Sequence, residues 1–234
     1  MLTSSTTHGV APVLYKKLPY NAMTGFTHIA GVTMMPAMFA INADVPAKTV
    51  KEFVALAKNN PGKYMFSSSG NGSVPQLFGE QLKIMSGAPI SHVPYKGSGP
   101  AVVDLAAGQV HMMVDGLPSL ISQIKAGRLR PIAAMDGKRF TLFPNVPTIA
   151  EAGFPGMEGG VWYGLSGPAG ILQPIVEQLA KVTARVVMST DVQERLATVG
   201  GYPMPLGPKE YEAFILKENK KWGDIVRASG ASPD

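Results

Sequence analysis

Tyr64-Met-Phe-Ser-Ser-Ser-Gly-Asn-Gly-Ser73, running on into Val74 to Ser86, reads as a strand, a glycine-rich loop and a helix. The apolar start, bounded by Gly62 and Gly70, is too short for a helix. Past the loop, Leu77, Gln81, Leu82 and Met85 recur at helical spacing until Ser86-Gly87 ends the run. Upstream, Val50, Phe53, Val54 and Ala57 predict a helix after Pro46, stopped by Asn59-Asn60-Pro61-Gly62. Downstream the unit repeats in kind. Ile90 to Val93 is a strand, Pro100 to Ala107 a helix, Gln109 to Val114 a strand, Leu117 to Ala126 a helix and Leu129 to Met135 a strand. Such alternation predicts parallel strands joined by crossover helices, an α/β fold.

From Val161 the texture changes. Val161 to Ser166 reads as a strand, followed by a helix with Ile175, Leu179, Val182 and Val186 on one face, a shorter helix over Val192 to Val199, and a last helix with Tyr211, Phe214, Ile215, Trp222, Ile225 and Val226 on one face. In the opening forty residues, Pro12 to Lys17 is weakly helical and Thr27 to Ile41 mostly extended.

Composition narrows the function. An apolar share of 45% with 16% charged residues is that of a folded protein with a core. The net charge of +5 is spread thinly, and its densest run, Lys217 to Lys221, is broken by Glu218, so no nucleic-acid face is expected. There is no cysteine, which removes disulfides and thiolate sites. Apolar runs such as Met34 to Ile41 fall far short of the ~20 residues of a membrane helix. Residues 1–20 show no signal-peptide pattern.

The chemistry concentrates in loops that lead from strands into helices. Ser69-Gly70-Asn71-Gly72-Ser73 offers backbone amides, hydroxyls and a helix start to an anion. Tyr95-Lys96-Gly97-Ser98-Gly99-Pro100 and Asp115-Gly116-Leu117-Pro118-Ser119 repeat that chemistry, and all three should emerge at the carboxyl edge of a parallel sheet, where ligands bind. Thr3 to Gly9 adds a run of small polar donors. Against this stands a tight turn with a capped helix, which needs the same residues. No catalytic constellation accompanies the loops: His8, His28, His92 and His111 lack metal spacing, and Gly164-Leu-Ser-Gly-Pro168 misses the last glycine of a nucleophile elbow.

Six motifs in order then carry a resemblance: Leu14-Tyr-Lys-Lys-Leu-Pro-Tyr20, Ser69 to Ser73, His92-Val-Pro-Tyr-Lys-Gly97, Asp104-Leu-Ala-Ala-Gly-Gln-Val110, Gly127-Arg-Leu-Arg130, and Pro144-Asn-Val-Pro-Thr-Ile-Ala-Glu-Ala-Gly153. Together they resemble the Bug-type extracytoplasmic solute receptors of tripartite tricarboxylate transporters. The resemblance implies a periplasmic-binding-protein-like α/β fold of two lobes, with mainly parallel sheets and crossover helices. Residues 1–42 with 161–234 would form the first lobe and 43–160 the second, with crossings near 40–44 and 160–166. It also implies a receptor for a small carboxylate, partnered by membrane transporter subunits in the periplasm, without cofactor, metal or catalysis. Ligand contacts would come from Ser5, Thr6 and His8 on one lobe, and from Ser69, Asn71, Gly72, Ser73, Tyr95, Lys96, Gly97 and Asp115 on the other.

Against the family pattern, an amino-terminal portion is missing, so the first lobe should be incomplete. Apolar faces of Thr27 to Ile41, Val161 to Leu165 and the helix over Ile175 to Val186 should then be uncovered, inviting a homodimer. The competing readings are an enzyme on the same lobes acting on a carboxylated or phosphorylated molecule, and a remnant that binds no ligand.

Overall fold

The computed structural model describes residues 1–232. Its organising element is one long strand, β2 (Phe26–Asn42), which serves two sheets in turn. Up to Pro36 it pairs with β7 (Gly160–Pro168) and, on its other side, with β8 (Tyr202–Pro203). From Ala37 onward its partners are β5 (Met112–Gly116) and β6 (Leu129–Met135). Proline has no N–H to give a ladder, and Pro36 stands where one set of partners is left for the next. The change of partners thus falls a few residues before the stretch 40–44 where the sequence places a crossing. Opposite Pro36 lies Gly160, the second place where chain passes between the halves. A β-carbon there would sit 2.3 Å from the Met35 carbonyl oxygen and 2.8 Å from Pro36 Cα, so only glycine allows the two strands this close.

One half is built on the sheet order β6-β2-β5-β3-β4, with β3 (Met65–Ser68) and β4 (Ser91–Pro94) completing it. β3 runs parallel to β4 and β5, while β5 and β6 both run antiparallel to β2. Four strands therefore point one way, as the alternation predicts, with β2 alone reversed. The crossover helices are α3 (Val74–Ser86), α4 (Ser98–Ala106) and α5 (Leu117–Lys125), preceded by α2 (Val50–Asn59). Buried Val50, Phe53 and Ala57 of α2 and Leu77, Phe78 and Leu82 of α3 pack against Phe39, Phe66 and Val114 of the sheet.

The other half departs from expectation. β1 (Leu2–Ser4) pairs with β7, and every pair in this sheet is antiparallel. The expectation of mainly parallel sheets therefore holds for one half only. β7 lies between β1 and β2, and β2 lies between β7 and β8, so strands that follow one another in the chain are separated in the sheet by an antiparallel neighbour. A wide helical turn over Ser5–Val10 follows β1 and leads into α1 (Ala11–Leu14).

Beyond β7 come α6 (Gln173–Val187), α7 (Thr190–Thr198) and α8 (Pro208–Ser229). α8 bridges the halves. Tyr211 lies over Gly164 and packs edge-on to Trp162, while Trp222 lies edge-on to Phe78 of α3 with ring centres 5.3 Å apart. The indole N–H groups of Trp162 and Trp222 both donate to Glu218 Oε2, at 2.9 and 3.0 Å. Lys221, with its ammonium above the Trp222 ring, donates to the Glu158 carbonyl beside the second crossing. Burial pulls its pKa down.

The faces expected to be uncovered divide. Ile29 and Ala30 of β2 are buried with Val176 of α6, and Val161 and Leu165 are half-buried. On α6, however, Ile175, Leu179, Val182 and Val186 all face solvent, at 38–50% exposure, with Leu172 at 71% just before them. The helical periodicity is real, but it belongs to an open face.

Candidate functional site

Three helices of the parallel half, α3, α4 and α5, begin at the same sheet edge, because each follows a strand of the same direction. Their first residues, Val74 with Pro75, Ser98, and Pro118 with Ser119, line one cleft of about 250 Å³. Ser69, Asp115 and Gly116 complete this wall. The facing wall comes from the other half: Thr6, Met35, Val161 and Tyr163. The volume lies just under the range usual for small-molecule sites, ~300–1,000 Å³. No lysine or arginine is among the lining residues. Positive character comes instead from helix N-terminal ends, which favour anions. Another hollow, about 350 Å³ behind the crossings, mixes Asp136, Glu158 and Glu218 with Lys217 and Lys221, and no helix N-terminus is among its lining residues.

Asp115 is the penultimate residue of β5 and is 4% exposed. Its Oδ1 accepts from the amide of Gly116 at 2.7 Å, and Oδ2 is buried with no hydrogen-bond partner. Burial raises its pKa; the neighbouring hydroxyls of Ser98 and Ser119 and the Gly116 amide pull the other way. Those hydroxyls face the carboxyl without closing a well-formed hydrogen bond to Oδ2.

The 69–73 loop is shaped by its own bonds. Gly70 N donates to Ser68 Oγ at 3.2 Å, Gly72 N to Gln76 Oε1 at 2.6 Å, and Ser73 N to the Gly70 carbonyl at 3.2 Å. Ser73 caps α3 by accepting from Gln76 N, while its own hydroxyl donates to Gly70 O at 2.7 Å. Gln76 Nε2 meets His92 Nδ1, and His92 Nε2 lies 2.6 Å from Ser68 Oγ. Since the amide of Gln76 donates, the network assigns the imidazole proton to Nε2. His92 stacks on Phe66, and burial followed by the nearby Lys83 charge takes its pKa down to about 4, so it stays neutral and keeps this bond pattern.

Of the eleven residues expected to contact ligand, the structure brings three to the cleft: Thr6, Ser69 and Asp115. Asn71 is exposed and Gly72 is buried, its Cα turned to Leu14, where a β-carbon would come within 2.2 Å of Leu14 Cδ2. Gly72 and Ser73 use their donors inside the loop. Tyr95 gives its hydroxyl to Asp104 Oδ2 at 2.7 Å, and its pKa is pushed up to about 12, chiefly by burial and then by that bond. Lys96 is exposed, and Gly97, at φ +109°, precedes α4 and donates its amide to Ser69 O.

Ser5 and His8 point into their own half. Ser5 Oγ and His8 Nε2 are buried without partners, and His8 packs edge-on to His28 with ring centres 5.7 Å apart. Burial and then the His28 charge bring the His8 pKa down to about 4. His28 binds Ser166 Oγ through Nδ1 at 3.2 Å, and Thr3 links Ser166 to Tyr211. Of the other polar cleft residues, Ser98 ends the loop expected to contact ligand, Tyr95 to Ser98, while Ser119 and Tyr163 were not among the expected contacts. The two serines stood inside the loops singled out, each at a helix start. Tyr163 had no local signal, since only pairing of β7 with β1 and β2 carries it there.

Two halves joined by two crossings at Pro36 and Gly160, with a cleft lined from both, define the periplasmic-binding-protein-like class. Within that class the chain belongs to the family described as tripartite tricarboxylate transporter family receptors, which matches residues 1–231. Protein BugT of Bordetella pertussis is 31% identical over 98% of this chain and 70% of its own length. A solved structure from R. palustris with adipate is 30% identical, with a TM-score of 0.91 over 100% of this chain and 78% of its own. MatC from Rhodopseudomonas palustris with bound malate is 29% identical, with a TM-score of 0.84 over 96% and 78%. Among the described residues no helix is long and apolar enough to cross a membrane.

Proposed function

We propose that this chain is a receptor that binds a small organic carboxylate between its halves and delivers it to a tripartite tricarboxylate-type transporter, without catalysing a reaction. The observation that carries the reading is the convergence of the first turns of α3, α4 and α5 on one cleft whose other polar groups are mainly hydroxyls. Helix ends favour an anion without a buried cation that would have to be desolvated. The adipate and malate bound by the two structural relatives are acids of this class. In this reading residues 1–42 with 161–234 form one lobe and 43–160 the other, except that 37–42 complete the sheet of the second. A receptor serving an importer meets its solute outside the cytoplasmic membrane, which supports a periplasmic location. A thermal-shift screen of mono- and dicarboxylates tests the proposal. One acid at a hundred times its Kd should stabilise by about 2.7 kcal/mol, or roughly 5–10 °C. Turnover of any panel member would favour the enzyme reading, and no response across the panel would favour the remnant.

The open face of α6 supports one further partner, a second copy of this chain. Exposed stripes of this kind are uncommon on monomers, and a two-fold pairing of α6 with its mate would bury Ile175, Leu179, Val182 and Val186 together. Light scattering should give twice the monomer mass, and Leu179→Glu with Val182→Glu should return it to the monomer mass without lowering the helix content. A monomeric wild-type chain would contradict the pairing.

A further inference from the structure

We propose that the ligand carries, besides its carboxylate, a hydroxyl or ammonium group that donates a hydrogen bond to Asp115 Oδ2. The inference rests on the carboxylate reading above and narrows it to hydroxy acids and amino acids.

The observation behind it is a mismatch within one cleft. Helix ends and hydroxyls make the cleft suitable for an anion, yet its deepest acidic group is itself a carboxyl, 4% exposed, with one oxygen unpaired. Three neighbours donate toward that carboxyl and offset part of the upward pull of burial on its pKa: the Gly116 amide on Oδ1, and the Ser98 and Ser119 hydroxyls. Leaving a buried acceptor without a donor is costly. No lysine or arginine among the lining residues can supply the donor. A plain dicarboxylate would bring a second negative charge toward Oδ2 and increase the cost. A ligand whose hydroxyl or ammonium group faces Oδ2, with its carboxylate toward the helix ends, satisfies both. Asp115 then selects among acids instead of binding the carboxylate itself.

The test uses matched acids that differ by one group: succinate against malate and aspartate, glutarate against 2-hydroxyglutarate and glutamate, propionate against lactate and alanine. Titration calorimetry of the whole chain should give at least one hydroxylated or aminated acid bound tenfold or more tighter than its plain counterpart. In Asp115→Asn that preference should shrink to within about twofold, with Ser98→Ala as a second variant should the first fail to fold. Equal or tighter binding of the plain acid in every set by the wild type would overturn the inference and leave the carboxylate reading standing. Failure of every acid in all three sets would overturn both.

Discussion

Replacing Trp222 with alanine should destabilise the protein by about 3–5 kcal/mol, the usual cost of removing a fully buried large aromatic side chain. Trp222 is completely buried, packs on Phe78 of α3, and gives its N–H to Glu218. It belongs to the same core cluster as Leu77 and Phe78 of one half and Val10 and Leu14 of the other. The loss should therefore fall on the contact between the halves, and hydrogen exchange should show α8 opening before the α3 region does. Leu216 on the same helix is 52% exposed, and Leu216→Ala should change stability by no more than about 0.5 kcal/mol. Similar losses for both variants in chemical denaturation would mean that α8 does not join the halves through Trp222.

Gly160→Val should be comparably damaging for a different reason. Its side chain would meet backbone, the Met35 carbonyl and Pro36 Cα, where nothing can rotate aside. Forcing strands apart at this point should cost about 3 kcal/mol, the upper part of the usual range for overpacking, and should misalign Met35, Val161 and Tyr163 on the cleft wall. The expected result is a lower midpoint in urea together with weakened ligand binding. Gly137, whose β-carbon would meet nothing within 4 Å, provides the control: Gly137→Ala should leave both unchanged. A Gly160→Val chain of unaltered stability would show that the crossing tolerates a wider separation of β2 and β7.

The helices and strands of residues 50–135 were legible in the sequence because each element carries its own period and its own stop signal. Thr49 and Ser73 cap α2 and α3, and Gly87 at φ +66° ends α3, all recognisable from residue type. What could not be read was direction. The antiparallel sheet of β1, β7, β2 and β8 depends on pairings between residues more than a hundred positions apart, such as Met34 with Trp162. The stripe on α6 illustrates a related limit. Ile175, Leu179, Val182 and Val186 specify a helix face, but a period says nothing about what lies opposite it.

The cleft was legible as a set of loops and not as a set of side chains. Asp115 and Ser69 were identified because they sit where strands end, and Ser98 and Ser119 lie in the same loops. Glycine-rich loops invite the reading of free amides. Here Gln76, reaching back from the first turn of α3, takes the amide of Gly72, a contact that the loop's own residues do not announce. His8 was drawn in by its neighbours Ser5 and Thr6, yet the wide turn over Ser5–Val10 leaves Thr6 at the cleft and carries His8 inward to His28.

The central claim, that a carboxylate is held between the two halves at the ends of α3, α4 and α5, meets its most direct test in one calorimetric comparison. The tightest acid from the screen is titrated into the wild-type chain and into Ser119→Phe, which fills the cleft from a half-buried position on α5. The account predicts one ligand per chain in the wild type and a loss of affinity of at least a hundredfold in the variant, with its unfolding midpoint little changed. Undiminished binding by Ser119→Phe would contradict it, since the acid would then be held elsewhere on the molecule.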